Sequence, residues 1–175
     1  NGVAPTLETA NPAQADPNDL RLIGIDKVPF STNQIVKFRQ QVNKIPVYGS
    51  IVSVELDKAN NLVSVDSSLG EPADVNPLAE ISPAQASALV RDWAGYGEQP
   101  LAAPPRLNFY YDDQAGRWRL VYIVEDVQIR RPDAVENGGF PPIAHFVIDA
   151  HDGTRVAELP RTKYAEVDGL DEALD

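Results

Sequence analysis

The 175-residue sequence contains no cysteine and no methionine. Without cysteine there can be no disulfide, no thiolate-bound zinc, no iron–sulfur cluster and no thiol nucleophile. The missing methionine extends to position 1, which is Asn1. The chain is therefore expected to be a fragment of a longer precursor, with any signal peptide upstream of it.

Basic residues and long apolar runs are also scarce. Acidic residues outnumber basic ones by 26 to 15, and the formal net charge is −11. This balance argues against nucleic acid or a membrane as the main partner, because binding to phosphates needs clustered lysine and arginine. No apolar run approaches the roughly 18 residues that span a bilayer. Apolar residues still make up 43% of the chain, enough for one globular domain or two small ones.

The first part of the chain has the pattern of a small antiparallel sheet. Residues 1–19 contain three prolines and no apolar period, which is typical of an extended lead-in. Within residues 20–70, runs rich in β-branched residues alternate with short turns, including a tight turn at Asn43-Lys44. The pattern predicts a four-stranded meander, with one long strand over residues 47–56.

A helix and a second meander are predicted over residues 71–160, followed by an acidic tail or processing segment over residues 161–175. Ser82, Pro83 and Gln85 have the spacing of an N-cap, a first-turn proline and a capping box. The predicted fold class is therefore α+β, with two small antiparallel sheet modules and at least one helix packed on the second.

Patterns that carry catalysis or bind metals are weak. The chain has two histidines, His145 and His151, and their spacing is unlike that of a zinc-binding helix. Paired carboxylates occur at Asp112-Asp113 and around Asp149, where turns are predicted and where Asp is common for local hydrogen-bonding reasons. These residues favour a non-catalytic chain that binds no cofactor of its own and acts through a surface.

One stretch of the sequence is distinctive: an aromatic-x-Gln strand runs into an Ile-Pro-Val-Tyr-Gly corner. It resembles the fungalysin/thermolysin propeptide motif. The matching residues are Phe38, Gln40, Ile45, Pro46, Val47 and Gly49. Further along, residues 119–124 and the run that contains Asp149 and Gly153 resemble the PepSY-type half of the same propeptides. The glycine that usually precedes the corner is Lys44 here, so this turn must accommodate a side chain.

The resemblance implies a function. It implies the propeptide of a secreted thermolysin-like zinc metallopeptidase, which acts as an intramolecular chaperone and as an inhibitor of the zymogen until it is cleaved and degraded. The metallopeptidase domain is the implied partner, in cis before cleavage and in trans afterwards. Zinc, with calcium as a further candidate, would belong to that domain. The precursor is expected to be exported, to the extracellular space or the periplasm.

The segment after the second meander is expected to contact the peptidase cleft or to contain the processing bond. Its residues are Leu159, Pro160, Arg161, Thr162, Lys163 and Tyr164. The alternative function is a free-standing secreted binding module that regulates a peptidase or another surface protein. An enzyme that uses the regions of Asp112 or Asp149 is a third, weaker hypothesis.

Overall fold

The computed structural model describes residues 18–131 and 141–161. Its elements, in chain order, are β1 (Asn18–Lys27), β2 (Gln34–Val42), β3 (Ile45–Pro46), β4 (Ile51–Leu56), β5 (Leu62–Ser68), α1 (Pro83–Ala94), β6 (Arg106–Asp112), β7 (Arg117–Gln128), β8 (Ile143–Asp149) and β9 (Arg155–Pro160). The strands form two sheets, one of five strands and one of four. The predicted α+β class with two antiparallel sheets is confirmed.

The described residues fall into two compact units. The first comprises residues 18–75 and 108–119, and the second comprises residues 76–107, 120–131 and 141–161. The sequence pattern put a boundary near residue 70. It gave no indication that residues 108–119 belong to the first unit, because the helix lies between them and the first sheet along the chain.

The sheet of the first unit is an antiparallel meander. Its order is β1-β2-β4-β5, and the short β3 pairs with β2. Asn43 and Lys44 form the two-residue turn between β2 and β3, with φ angles of 51° and 67°. Two consecutive positive φ values define the type I′ turn, which matches the twist of antiparallel strands. The predicted tight turn at this position is confirmed.

The predicted single strand over residues 47–56 is wrong in its first part. The chain ends β3 at Pro46, and β4 begins only at Ile51. Gly49 lies between them with φ of 77°, a left-handed conformation that interrupts a strand and that glycine adopts without a steric penalty. The alternation of apolar residues correctly predicts the strand over residues 51–56, but it gives no sign of the turn that precedes Ile51.

The second unit contains α1, which begins and ends as the sequence indicates. The Ser82 side chain accepts a hydrogen bond from the Gln85 backbone N–H, and the Gln85 side chain accepts one from the Ser82 backbone N–H. This is the predicted capping box, with Pro83 in the first turn. Gly95 ends the helix in a left-handed conformation, with φ of 78°.

The helix packs on the second sheet, in which β8 pairs with both β7 and β9. The rings of Trp93 on α1 and Phe146 on β8 stack, with centroids 6.4 Å apart. Ala86, Val90 and Ala94 turn the buried side of the helix toward this core. Each fully buried side chain of valine size or larger stabilises such a core by about 1.5–3 kcal/mol. No helix among the described residues is long and apolar enough to cross a membrane.

Candidate functional site

Four residues of the resemblance lie in one corner, defined here as residues 45–50, and Gln40 is hydrogen-bonded to it. The type I′ turn places Pro46 opposite Gln41 and Ile45 opposite Val42. The Val47 backbone N–H then donates to the Gln40 carbonyl oxygen at 3.0 Å. Val47 is 1% exposed, so this corner is anchored in the core of the unit.

Ser50 closes the corner, and the sequence pattern did not single it out. Its hydroxyl oxygen accepts a hydrogen bond from the Gln40 backbone N–H at 3.2 Å and donates one to the Val47 carbonyl oxygen at 3.0 Å. Ser50 is buried, and both bonds satisfy backbone groups that the break between β3 and β4 leaves outside the ladder. A serine directly after a left-handed glycine is the signal that indicates such a role.

The side chain of Gln40 pairs with the backbone of Gly70. Its Nε2 donates to the Gly70 carbonyl oxygen at 2.7 Å, and its Oε1 accepts from the Gly70 N–H at 2.9 Å. The primary amide reproduces the donor and acceptor of one strand residue, which an apolar or a charged side chain cannot do. The chain that follows β5 is thereby tied to β2.

Gly70 is also the point where an aromatic ring meets the backbone. A Cβ atom at this position would lie 2.3 Å from Cη2 and 2.6 Å from Cζ2 of Trp118. These separations are far inside van der Waals contact, so the position accepts only glycine while the ring stays in place. We call Gln40, Gly70 and Trp118 the Gln40 clamp.

The hairpin of residues 108–119 also packs on the corner. The Tyr48 backbone N–H donates to the Phe109 carbonyl oxygen at 2.8 Å, and Val47 forms a parallel bridge with Phe109. The rings of Tyr48 and Tyr110 have centroids 5.8 Å apart. Phe109 is almost fully buried. The corner is thus held by the sheet, by the clamp and by this hairpin.

A comparison with family models finds this same sheet. Residues 18–69 match the fungalysin/thermolysin propeptide motif. The match starts at the first residue of β1 and ends one residue after β5, so it coincides with the sheet of the first unit. Residues 18–69 carry this propeptide motif. The chain shows no significant match to a curated protein.

The motif match confirms the family resemblance predicted from the corner. It supports an N-terminal propeptide of a thermolysin-like peptidase, and so a precursor region that accompanies a peptidase domain. Hairpin residues 108–119 lie outside the match although they complete the same unit. The likeness of residues 71–160 to PepSY domains stays a prediction.

Lys44 is where the propeptide motif usually has glycine, and its φ of 67° is left-handed. We expect Lys44→Gly to raise the free energy of unfolding by about 1 kcal/mol. A residue with a Cβ is strained by roughly 1–2 kcal/mol in the left-handed conformation, and glycine removes this strain. The larger conformational entropy of glycine in the unfolded chain offsets part of the gain. Urea denaturation measures the change. Lys44→Ala is the control, since it removes the charge but keeps the Cβ. Equal effects of the two substitutions would contradict the backbone explanation.

Asp112 and Asp149, considered above for acid–base chemistry, have local hydrogen bonds in the structure. The Asp112 carboxylate accepts from Arg119 Nε at 2.8 Å and from the backbone N–H groups of Gln114 and Ala115 at 3.1 Å each. Burial alone raises the pKa of Asp112, but the Arg119 and backbone hydrogen bonds outweigh it, and the pKa lies below its ordinary value. This carboxylate therefore stays charged and holds the β6–β7 turn.

Asp149 and Gly153 lie in the second unit, where they form the β8–β9 turn. The Asp149 carboxylate accepts from the His151 N–H at 2.9 Å, and the Gly153 N–H donates to the Asp149 carbonyl oxygen at 3.0 Å. Gly153 has φ of 77°, and a Cβ there would lie 3.1 Å from Leu89 Cδ1. These two residues belong to the second unit, whereas the corner belongs to the first.

The predicted contact or processing segment is described only in its first half. Leu159 and Pro160 end β9, which is the last strand of the second sheet. The Arg161 backbone N–H donates to the Ile143 carbonyl oxygen at 2.8 Å, and its side chain forms an ion pair with Asp126. Thr162, Lys163 and Tyr164 lie outside the described residues. Within residues 18–131 and 141–161 there is no group of three or more His, Asp or Glu side chains that could hold a metal ion.

Proposed function

We propose that this chain is a non-catalytic propeptide that assists the folding of a thermolysin-like zinc endopeptidase and then inhibits it. The observation that carries the proposal is the match of the propeptide motif to the whole sheet of residues 18–69. The peptidase domain is the partner, linked to the chain before cleavage and held non-covalently afterwards. Zinc, and any calcium, would be bound by that domain. Propeptides of this type belong to exported precursors, so we expect the chain outside the cytoplasm.

The corner and the clamp support the chaperone part of the proposal. A segment that lowers the folding barrier of a partner must bind the folded partner better than the unfolded one, which requires a surface with its own defined shape. Two amide hydrogen bonds of Gln40, two hydroxyl bonds of Ser50 and the Tyr48–Phe109 bond hold the corner in one conformation. Little conformational entropy is then lost when this surface binds.

The position of β9 supports the inhibitor part. β9 pairs with β8 on one side and lies at the edge of the four-stranded sheet, and Leu159 and Pro160 lead into the segment after Arg161. An edge strand offers unpaired backbone groups, to which a peptidase cleft can add as it does to an extended substrate. We propose that the second unit is PepSY-like and delivers residues 159–164 to the cleft, where the processing bond lies.

Inhibition in trans tests the proposal. The purified 175-residue chain is incubated with thermolysin, and hydrolysis of a small fluorogenic peptide is followed over a range of chain concentrations. We expect saturable inhibition, because a broad interface binds in the nanomolar to micromolar range. Subtilisin is the control peptidase and should be unaffected. Gel analysis of each sample separates inhibition from simple competition by a chain that is being digested.

A folded, undigested chain that leaves thermolysin fully active would contradict the propeptide proposal. It would favour the free-standing secreted binding module. The comparison is decisive only for folded protein, so circular dichroism accompanies each assay.

A further inference from the structure

One face of the first sheet is apolar across all four long strands. In an antiparallel ladder, residues paired across strands project from the same face. One such row crosses the whole sheet, and its members are Ile25, Val36, Val54 and Val65. The neighbouring row contains Leu22, Phe38 and the buried Val52, and it ends at the polar Ser67 of β5. We call the seven apolar residues of these two rows the apolar face.

The opposite face of the same strands is mainly polar. Lys37, Ser53 and Asp66 form one of its rows, next to Glu55 and Ser64 in the following row. Lys37 also forms an ion pair with Asp26 at 2.6 Å. This separation into two faces is typical of an antiparallel sheet with one face in water and the other packed against apolar side chains.

No element of the described residues covers the edges of the apolar face. Ile25 is 58% exposed, Val65 55% and Leu22 52%, although each projects from the apolar side. Aliphatic side chains in a continuous row across four strands form a patch, in contrast to single surface leucines or valines. Such patches on soluble proteins mark surfaces that bind another molecule.

The size of the apolar face indicates what covers it. The apolar face is two rows deep, or about 13 Å along the strands, and four strands about 4.8 Å apart are about 19 Å wide, so the face presents roughly 250 Å². A stable interface buries about 800 Å² on each partner. Two copies of this face packed together would fall short of that, whereas a larger folded domain can cover the face and add a polar rim around it.

The turn at one end of the β1–β2 hairpin has a second exposed apolar group. Phe30 is fully exposed and has φ of 60°, a conformation that bulky residues rarely adopt. Backbone strain at an exposed aromatic residue is typical of binding sites, where such residues contribute much of the affinity. Phe30 is thus a further exposed apolar group, in the turn that joins β1 and β2.

We propose that the apolar face docks on an uncharged, apolar surface of the folded peptidase domain, outside its cleft. This inference rests on the proposed function, because the motif match covers the same strands, residues 18–69. The site lies outside the cleft because a cleft that binds extended substrates accepts single strands, whereas this surface is four strands wide. The apolar face and the β9 segment would thus be separate contacts.

Val65→Lys tests the docking in the full-length chain. Val65 is exposed, so the folded state should tolerate the lysine, while a docked partner would bury the charge. We expect the inhibition constant toward thermolysin to rise by about tenfold or more. Ser64→Lys is the matched control: it is the neighbouring residue, projects from the polar face and changes the net charge equally. We expect that variant to stay within about twofold of the original chain. Ile25→Lys, at the other end of the row, should reproduce the effect of Val65→Lys.

The outcomes separate this inference from the proposed function. If the original chain inhibits and both Val65→Lys and Ile25→Lys inhibit equally well, the docking is overturned and the propeptide function stands. If the original chain does not inhibit at all, the proposed function fails and the docking fails with it. Sedimentation of the chain alone gives the third outcome: a dimer that Val65→Lys dissociates would identify a second copy as the occupant and overturn the peptidase assignment.

Discussion

Gly70→Ala is expected to lower the free energy of unfolding of the first unit by about 3 kcal/mol, the upper end of the usual range for overpacking. The added methyl carbon would lie 2.3 Å from Cη2 of Trp118 and 3.3 Å from Cγ1 of Val47. Trp118 is itself packed edge-on against Tyr111, with centroids 5.3 Å apart. The backbone at Gly70 is held by both amide bonds of Gln40, so neither side of the clash can move without losing contacts.

Urea denaturation, followed by circular dichroism, measures this effect. Gly24→Ala is the matched control, because a Cβ at Gly24 has no heavy atom within 4 Å and its φ is not left-handed. We expect the control to change stability by less than about 0.5 kcal/mol. The double variant Gly70→Ala/Trp118→Phe should recover part of the loss, because phenylalanine lacks the clashing ring atoms. Equal stabilities of Gly70→Ala and Gly24→Ala would show that the close approach is not rigid.

Gln40→Leu is expected to lower the free energy of unfolding by about 2–4 kcal/mol. Leucine has a similar size, but it leaves the Gly70 N–H and carbonyl groups without their partners. A fully buried unsatisfied polar group costs about 1–3 kcal/mol, and these two groups are only partly buried, so the sum lies in the lower part of that range for two groups. The backbone bonds of Gln40 to Ser50 and Val47 remain, so the loss reports on the amide alone. Thermal and urea unfolding should rank the variants in the same order of stability.

Gln41→Leu is the matched control for this prediction. Gln41 is the next residue of β2 and projects from the other face, so its replacement should change stability by less than about 0.5 kcal/mol. Gln40→Glu gives a further comparison. Its carboxylate still accepts from the Gly70 N–H but faces the Gly70 carbonyl oxygen, so it should lose stability at pH 7 and regain part of it near about pH 4, where a protonated carboxyl can donate. A Gln40→Leu variant as stable as Gln41→Leu would contradict the clamp.

The two predictions concern one connection within the first unit, and they bear on its function. Gln40 is a residue of the propeptide motif, whereas Gly70 and Trp118 lie beyond the matched residues 18–69. The motif glutamine thus binds a part of the chain that the motif itself does not include. Variants that loosen this connection enough to populate the unfolded state are expected to lose inhibition of thermolysin, since an unfolded surface binds a folded partner less well.

Features set by neighbouring residues could be read from the sequence. The Asn43-Lys44 turn follows from asparagine's tolerance of a left-handed backbone, and the start of α1 follows from Ser82 and Gln85 three residues apart. The propeptide motif was visible for the same reason, because Phe38, Gln40 and the corner residues are close together along the chain.

Features made by contacts between distant residues needed the folded chain. The need for glycine at position 70 comes from a tryptophan 48 positions later, and the corner is closed by Phe109 from beyond the helix. The exposure of the apolar face depends on every other element that could have packed on it. Local conformational preferences depend on a few neighbouring residues and can therefore be predicted from the sequence. The burial of a side chain and the close approach of two groups depend on contacts between residues that are distant along the chain.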